Sequence, residues 1–235
     1  MKTLPLTLAL LALLTAPAFA KDKKPKESAG DYHPAIDPAN FTHVITNPYF
    51  PLVPGTTFTS IEKEGRETRE VKVTVTHDTK KILGVKCVVV RDTVTLEGTI
   101  LEDTFDWYAQ DKEGAVWYFG EATKEFKSGG RVVTAGSWEA GVNGLPGIMM
   151  PANPKPGQPY RQEYSPNNAE DMGQVVAVGE TVTVPYGTFK DCVKIKEWSM
   201  LESGHGHKWF AKGVGFVRTE ASSGEVGTLI SVTKK

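Results

Sequence analysis

Residues 71–76 read Val-Lys-Val-Thr-Val-Thr, and residues 181–184 read Thr-Val-Thr-Val. In both stretches a β-branched apolar residue alternates with a polar residue, which is the period of a strand with one buried face. The sequence therefore predicts a mainly β, antiparallel protein with few short helices. Gly-containing turn signals separate the predicted strands as antiparallel hairpins require: Glu64-Gly65, Glu97-Gly98, Glu113-Gly114, Tyr186-Gly187 and Ser203-Gly204.

Two parts of the chain carry the same landmarks in the same order. Pro-Gly-Thr-Thr-Phe at 54–58 is matched by Pro-Gly-Gln-Pro-Tyr at 156–160. Trp-Tyr-Ala at 107–109 is matched by Trp-Phe-Ala at 209–211, with the same offset along the chain. We interpret this as an internal duplication, in which each unit packs against its copy to complete one core.

The duplication suggests a domain plan. Residues 41–235 are expected to form one β domain of two repeats, about 51–121 and 153–221, arranged as a curved antiparallel sheet, a half-barrel or a barrel. A Gly- and Pro-rich loop over 127–155 joins the repeats. Because it also carries apolar residues, this loop is expected either to close the core or to form a lid over a ligand.

The N-terminal residues have the pattern of a secretory signal peptide. Lys2 is followed by an apolar stretch from Leu4 to Leu14 and by the small-x-small triplet Ala18-Phe19-Ala20. We therefore predict a signal peptide over 1–20, a flexible leader over 21–40, and a periplasmic or secreted mature protein. The apolar stretch is shorter than the ~20 residues that a membrane-spanning helix needs, so no transmembrane segment is expected after cleavage.

Charge and motifs exclude several functional classes. With 27 basic and 28 acidic residues, the net charge of -1 provides no basic surface for nucleic acid. The sequence contains no nucleophile elbow, zinc-protease helix, phosphate loop or dinucleotide fingerprint. A non-enzymatic role is favoured, although a carboxylate-dependent hydrolase stays possible because such enzymes need only two carboxylates brought together by folding.

Three stretches support a family resemblance. Residues 47–58 (Asn-Pro-Tyr-Phe-Pro-Leu-Val-Pro-Gly-Thr-Thr-Phe), residues 106–121 with their Asp-Trp-Tyr-Ala-Gln-Asp and Trp-Tyr-Phe-Gly-Glu motifs, and residues 160–164 resemble an uncharacterised family of secreted bacterial proteins. More loosely, residues 209–217 resemble a strand-turn-strand unit of periplasmic sheet proteins related to lipoprotein carriers. This second resemblance implies a similar fold only.

The repeat also indicates where a ligand would bind. In both copies an apolar strand face that follows the cysteine ends in a carboxylate, Asp92 or Glu197, and Lys208 aligns with Asp106. These charges are expected either to contact a ligand inside a concave sheet or to form structural ion pairs. The residues predicted to bind the ligand are Asp92, Glu197, Asp106, Tyr108, Trp138, Met149 and Met150.

A metal site is a second hypothesis. His205 and His207 alternate along one strand, so both rings point the same way and could reach one divalent metal ion, with Asp103 as an oxygen ligand. Other candidate ligands are Glu202, Glu170 and Asp171. The alternative is a solvent-exposed histidine pair near a turn. No other cofactor is predicted.

Cys87 and Cys192 occupy matching positions in the two copies. An exported protein permits a disulfide between them, and two separately buried thiols are the alternative. Taken together, the sequence favours an exported, non-catalytic protein that holds a small apolar, amphipathic or lipid-like ligand. A periplasmic metal-binding protein and a hydrolase remain the alternatives.

Overall fold

The computed structural model describes residues 32–235, so the predicted signal peptide and most of the predicted leader lie outside the described residues. Two short 3-10 turns occur, Pro38–Asn40 and Ser128–Gly130, and no α-helix is present in the described range. The prediction of a mainly β protein with few short helices is confirmed. The sixteen strands are β1 Phe41–Thr42, β2 Thr56–Glu64, β3 Glu67–Ile82, β4 Val85–Leu96, β5 Thr99–Asp111, β6 Val116–Phe126, β7 Val132–Val133, β8 Trp138–Glu139, β9 Leu145–Met150, β10 Tyr160–Arg161, β11 Glu163–Tyr164, β12 Asp171–Val184, β13 Gly187–Ser199, β14 Gly206–Ala211, β15 Gly215–Ala221 and β16 Val226–Lys234.

Thirteen of these strands follow one another around a nearly closed antiparallel barrel. The path begins at β10 and ends at β11, which are separated in the chain only by Gln162. Because β10 pairs with β12 and β11 pairs with β9, this short segment bridges the two edges of the sheet. The expected curved sheet or barrel is therefore confirmed, in its nearly closed form. No helix within residues 32–235 is long and apolar enough to cross a membrane.

The two predicted copies contribute adjacent sets of strands to the sheet, and the duplication itself stays a prediction. The first copy supplies β2 to β6 and β9, and the second supplies the β10–β11 segment and β12 to β16. In each copy the sixth strand pairs with the first strand of the other copy, through β16 with β2 and β9 with β11. The strands of both predicted copies are needed to complete the nearly closed barrel.

Part of the range predicted to be a connecting loop, 127–155, forms strands. β7, β8 and β9 lie within it, and β9 pairs with β6 on one side and β11 on the other. Trp138, Met149 and Met150 are buried there. The high Gly and Pro content concealed a barrel strand, because residues such as Gly147 are required where the backbone of Gln162 approaches too closely for a Cβ atom.

A smaller hydrophobic cluster packs outside the barrel, against the second copy. Phe210 belongs to the large core cluster, whereas its neighbour Trp209 belongs to the smaller one. Successive strand residues point to opposite faces, so the smaller cluster lies on the outer face. Val182 and Val184 cover it, because register shifts in the middle of the β12–β13 pair bend this hairpin over the neighbouring strands.

Cys87 and Cys192 are buried free thiols, so the disulfide alternative is wrong and the alternative of two separate thiols is confirmed. Each cysteine precedes a valine, Val88 or Val193, that shares the inward face of its strand. The cysteines therefore point outward from β4 and β13, on different sides of the barrel. Cys87 packs in the large hydrophobic cluster and Cys192 in the smaller one, so the two thiols stay apart.

Candidate functional site

A pocket opens on the concave side of the sheet. Residues of β2, β4 and β14 line it together, although four strands separate β4 from β14 in the sheet order, so the pocket lies inside the curve of the barrel. The empty space in and above it is about 690 Å³, counting the part that opens to solvent. The main apolar wall consists of Phe50, Leu52, Phe58, Val71, Phe210 and Phe216.

One face of β2 leads from the pocket mouth into the protein. Phe58 is half-buried, whereas Ser60 and Glu62 are buried. Residues two apart on a strand are separated by about 7 Å, so the path from Phe58 to Glu62 covers about 13 Å. Gly227 of β16 leaves room for Glu62, because a Cβ atom at this position would lie 2.6 Å from Thr219 Cγ2 and 3.0 Å from Glu62 Cγ.

Three ionisable side chains form the buried wall of the pocket: Glu62, Asp92 and Lys208, with exposed fractions of 3%, 2% and 4%. Lys208 Nζ lies 2.8 Å from Glu197 Oε2. Glu197 Oε1 also accepts a hydrogen bond from Gln162 Nε2 at 3.0 Å. Asp92 Oδ1, in contrast, has no hydrogen-bond partner within residues 32–235. The pocket wall thus contains a buried acceptor that the protein itself does not satisfy.

Further buried carboxyl groups lie behind the pocket, and together with Glu62 and Asp92 we call them the acid layer. Within residues 32–235 the buried cations are Arg69 and Lys208. Burial raises the pKa of Asp92 well above its usual range, with a further increase from Asp106, and burial raises the pKa of Glu62 to about 8. Several of these acids therefore hold a proton near neutral pH. The acid layer consists of Glu62, Asp92, Glu102, Asp106, Glu121, Glu163, Asp171, Glu197 and Glu225.

Tyr118 connects two members of the acid layer. Its hydroxyl oxygen lies 2.5 Å from Asp106 Oδ1 and 2.9 Å from Glu121 Oε2. A phenol donates a single hydrogen, so one of these contacts requires a proton on a carboxyl group. Burial raises the pKa of Asp106 to about 7 and that of Glu121 well above its usual range, which agrees with a shared proton. The Tyr118 ring stacks on Tyr108 with 4.8 Å between centroids.

The residues predicted to bind a ligand fall into two groups. In the first group, Asp92 lines the pocket, Glu197 lies behind Lys208, and Asp106 and Tyr108 are buried beyond the pocket wall. These four side chains are all buried in the barrel interior. They influence one another electrostatically: Lys208 acts to lower the pKa of Asp92 and of Asp106, and Asp92 acts to raise the pKa of Tyr108.

The second group lies away from the pocket. Met149 and Met150 are fully buried in the core, and Trp138 donates a hydrogen bond from Nε1 to Glu163 Oε2 at 3.1 Å. None of them lines the pocket described above. Residues 50–52 line the pocket instead, together with residues at the turn between β14 and β15.

Asn47 holds the segment around residues 50–52 in place. Its side-chain Nδ2 donates to the carbonyl oxygens of Gly114 at 2.8 Å and Pro151 at 3.1 Å, and its backbone N–H donates to Gln110 Oε1 at 2.8 Å. The signal for this segment was present in the sequence, in the Pro-rich motif that begins at Asn47. In the sequence this motif indicated only a family resemblance, and its role in lining the pocket was not predicted.

The structure does not assemble the predicted metal ligands. The rings of His205 and His207 lie 5.6 Å apart, measured between centroids. The carboxylate of Asp103 instead accepts two hydrogen bonds from Arg91, at 2.7 and 3.0 Å. Across residues 32–235, no group of three or more His, Cys, Asp or Glu side chains is arranged to hold a metal ion. Asp103 and the histidines therefore do not form one site.

The acidic stretch that motivated the hydrolase alternative also folds inward. Glu102 and Asp106 are both buried, and Thr104 between them donates to Glu102 Oε1 at 2.9 Å. In the described part of the chain, the carboxyl groups that line the pocket are those of Glu62 and Asp92. The pocket surface therefore offers a ligand hydrogen bonds and electrostatic contacts at a few polar side chains, which are surrounded by apolar ones.

Comparison with known proteins places the fold. The model of a family described as DUF3108-like matches residues 166–234, which include β12 to β16 of the second copy. A candidate exported protein with a YmcC-like fold from Bacteroides fragilis NCTC 9343 has a similar structure, with a TM-score of 0.51 and 20% identity over 80% of this chain and 100% of that chain. A candidate lipoprotein from Parabacteroides distasonis ATCC 8503 has a TM-score of 0.45 and 15% identity, over 80% of this chain and 99% of that chain. No curated protein matches the sequence.

Proposed function

We propose that this protein binds one small apolar or amphipathic molecule in the pocket and does not alter it chemically. The observation that carries the proposal is an apolar cavity with a buried, unsatisfied acceptor in its wall, Asp92 Oδ1. Pockets of this composition, mostly apolar with few polar groups, are typical of small-molecule sites. The apolar part of the ligand would pack on Phe58, Phe210 and Phe216, and its polar end would reach Glu62 and Asp92.

The proposal includes the compartment in which binding occurs. Residues 1–20 have the pattern of a signal peptide, which supports action in the periplasm or outside the cell. The structurally similar Bacteroides fragilis protein is named as a candidate exported protein, which is in keeping with this compartment. A binding protein there would shield an apolar ligand from water, since exposing apolar surface to water is unfavourable.

Fluorescence titration with N-phenylnaphthylamine, a neutral apolar dye, tests the pocket. We expect a saturable increase in emission with one dye per chain. The substitution Val73→Trp places an indole in the half-buried part of the lining, and it should weaken dye binding about tenfold or more because it fills the cavity. The matched control is Lys72→Trp, on the opposite, exposed face of β3.

Circular dichroism of both variants checks that the barrel still forms. If the unaltered protein shows no saturable dye binding, the proposal is wrong. It is also wrong if a folded Val73→Trp variant binds the dye as tightly as the Lys72→Trp control, because the dye would then bind elsewhere.

A further inference from the structure

We infer that the preferred ligand carries a cationic hydrogen-bond donor, a primary ammonium group, at the end of its apolar part. This inference rests on the proposed function and adds the chemical class of the ligand. It follows from the charges that line the buried wall and from the one acceptor there that has no partner.

The ionisable side chains of the buried wall favour a cationic ligand group. Glu62 and Asp92 provide two carboxyl groups, and Lys208 provides the positive charge. Lys208 is already held 2.8 Å from Glu197, so its charge is largely balanced before a ligand enters. Behind the wall, Glu225 lies close enough to Glu62 to disfavour its ionisation. Around a ligand group in this part of the pocket, acidic side chains therefore outnumber basic ones.

A carboxylate ligand fits this environment poorly. A carboxylate has no hydrogen to donate to Asp92 Oδ1, and its charge would further disfavour ionisation of Asp92 and Glu62. To pair with Lys208 it would have to compete with Glu197, which is buried and also bound to Gln162. Breaking that pair would leave a buried carboxylate without its partner.

An ammonium group satisfies the unpaired acceptor. It has three hydrogens to donate, and Asp92 Oδ1 lacks a partner within residues 32–235. A nearby cation favours the ionised carboxylate, so the proton that Asp92 holds in the free protein would be released to solvent on binding. The phenyl rings of Phe58, Phe210 and Phe216 then enclose the alkyl part.

Displacement of N-phenylnaphthylamine by three ligands of equal chain length tests the head group. Decylammonium, decanol and decanoate would be compared at neutral pH and below their aggregation concentrations. We expect decylammonium to bind about tenfold or more tightly than decanoate, with decanol between them, because a charge-assisted hydrogen bond adds to the shared apolar contact. Equal or tighter binding of decanol or decanoate overturns the ammonium inference and leaves the pocket proposal in place. Failure of all three ligands and of the dye removes both.

The variant Asp92→Asn locates the interaction. It should weaken decylammonium binding about tenfold and leave decanol binding nearly unchanged, because the asparagine keeps the shape and removes the charge. The control Asp78→Asn makes the same change on an exposed residue of β3 and should affect neither ligand. The inference is overturned if Asp92→Asn weakens both ligands equally, or if the two variants lose the same decylammonium affinity.

Discussion

The two copies place charged residues at equivalent positions with different signs. Asp92 and Asp106 lie on neighbouring strands β4 and β5, and Glu197 and Lys208 lie in the same relation on β13 and β14. The second copy therefore contains a buried ion pair of 2.8 Å, whereas the first copy has two acids. The difference teaches that the same backbone register can hold either an ion pair or two acids, and in the first region Asp92 Oδ1 has no hydrogen-bond partner within residues 32–235.

The largest expected effect comes from breaking the ion pair of the second copy. Lys208→Met should lower the free energy of unfolding by about 3–5 kcal/mol, because it leaves Glu197 buried without its cation. Urea unfolding followed by tryptophan fluorescence measures this loss. The double variant Lys208→Met with Glu197→Gln should recover much of it, since no unpaired charge then remains.

The equivalent pair in the first copy provides the contrast. Asp106→Asn should cost less than Lys208→Met, because burial already raises the pKa of Asp106 to about 7 and keeps much of its population neutral. If the two single substitutions cost the same free energy, the two copies are energetically alike and the comparison fails.

A smaller effect concerns the pH dependence that the acid layer imposes. Glu62 has a pKa of about 8 in the folded protein and near 4.5 when unfolded, so the folded state retains a proton that the unfolded state has released. Stability should therefore fall as the pH rises through this window and level off above about pH 8. In Glu62→Gln the fall between pH 6 and pH 8 should be smaller by about 2 kcal/mol.

Urea unfolding at a series of pH values between these limits checks the Glu62 prediction. The matched control is Glu67→Gln, an exposed residue of β3 near the start of the same hairpin, and it should leave the slope unchanged. A stability that rises with pH in the unaltered protein would contradict the prediction.

The smallest effects concern the matched cysteines. Cys87→Ala and Cys192→Ala should each cost about 1–2 kcal/mol, because each removes a buried sulfur from a packed cluster. A reducing agent should not change the melting temperature, since both residues are free thiols. A lower melting temperature under reducing conditions would show that the cysteines are joined.

Much of the fold followed from local patterns. Alternation at residues 71–76 and 181–184 predicted strands, and those residues lie in β3 and β12. The matched landmarks also predicted an internal duplication, which stays a prediction. The strand predictions were confirmed because side-chain direction in a strand alternates with the sequence itself.

The strand pairings that join the two predicted copies could not be inferred from such local patterns. β9 pairs with β11 and β16 pairs with β2, and neither pairing is local along the chain. The pocket mouth shows the same limit, because residues 50–52 meet the β14–β15 turn from the other end of the sequence. Trp138, predicted to bind the ligand, lies in β8 away from this pocket, since apolar content alone does not tell a ligand-covering loop from a buried strand.

The sequence by itself determined that this is a β protein, and it predicted two copies of one unit with carboxylates and a lysine at matched positions. Only the tertiary structure decided that Lys208 pairs with Glu197, that Asp92 Oδ1 has no hydrogen-bond partner within residues 32–235, and that the two cysteines stay apart. The physical reason is that periodicity fixes the face of a strand on which a side chain lies. The closure of the barrel decides which side chains meet across it.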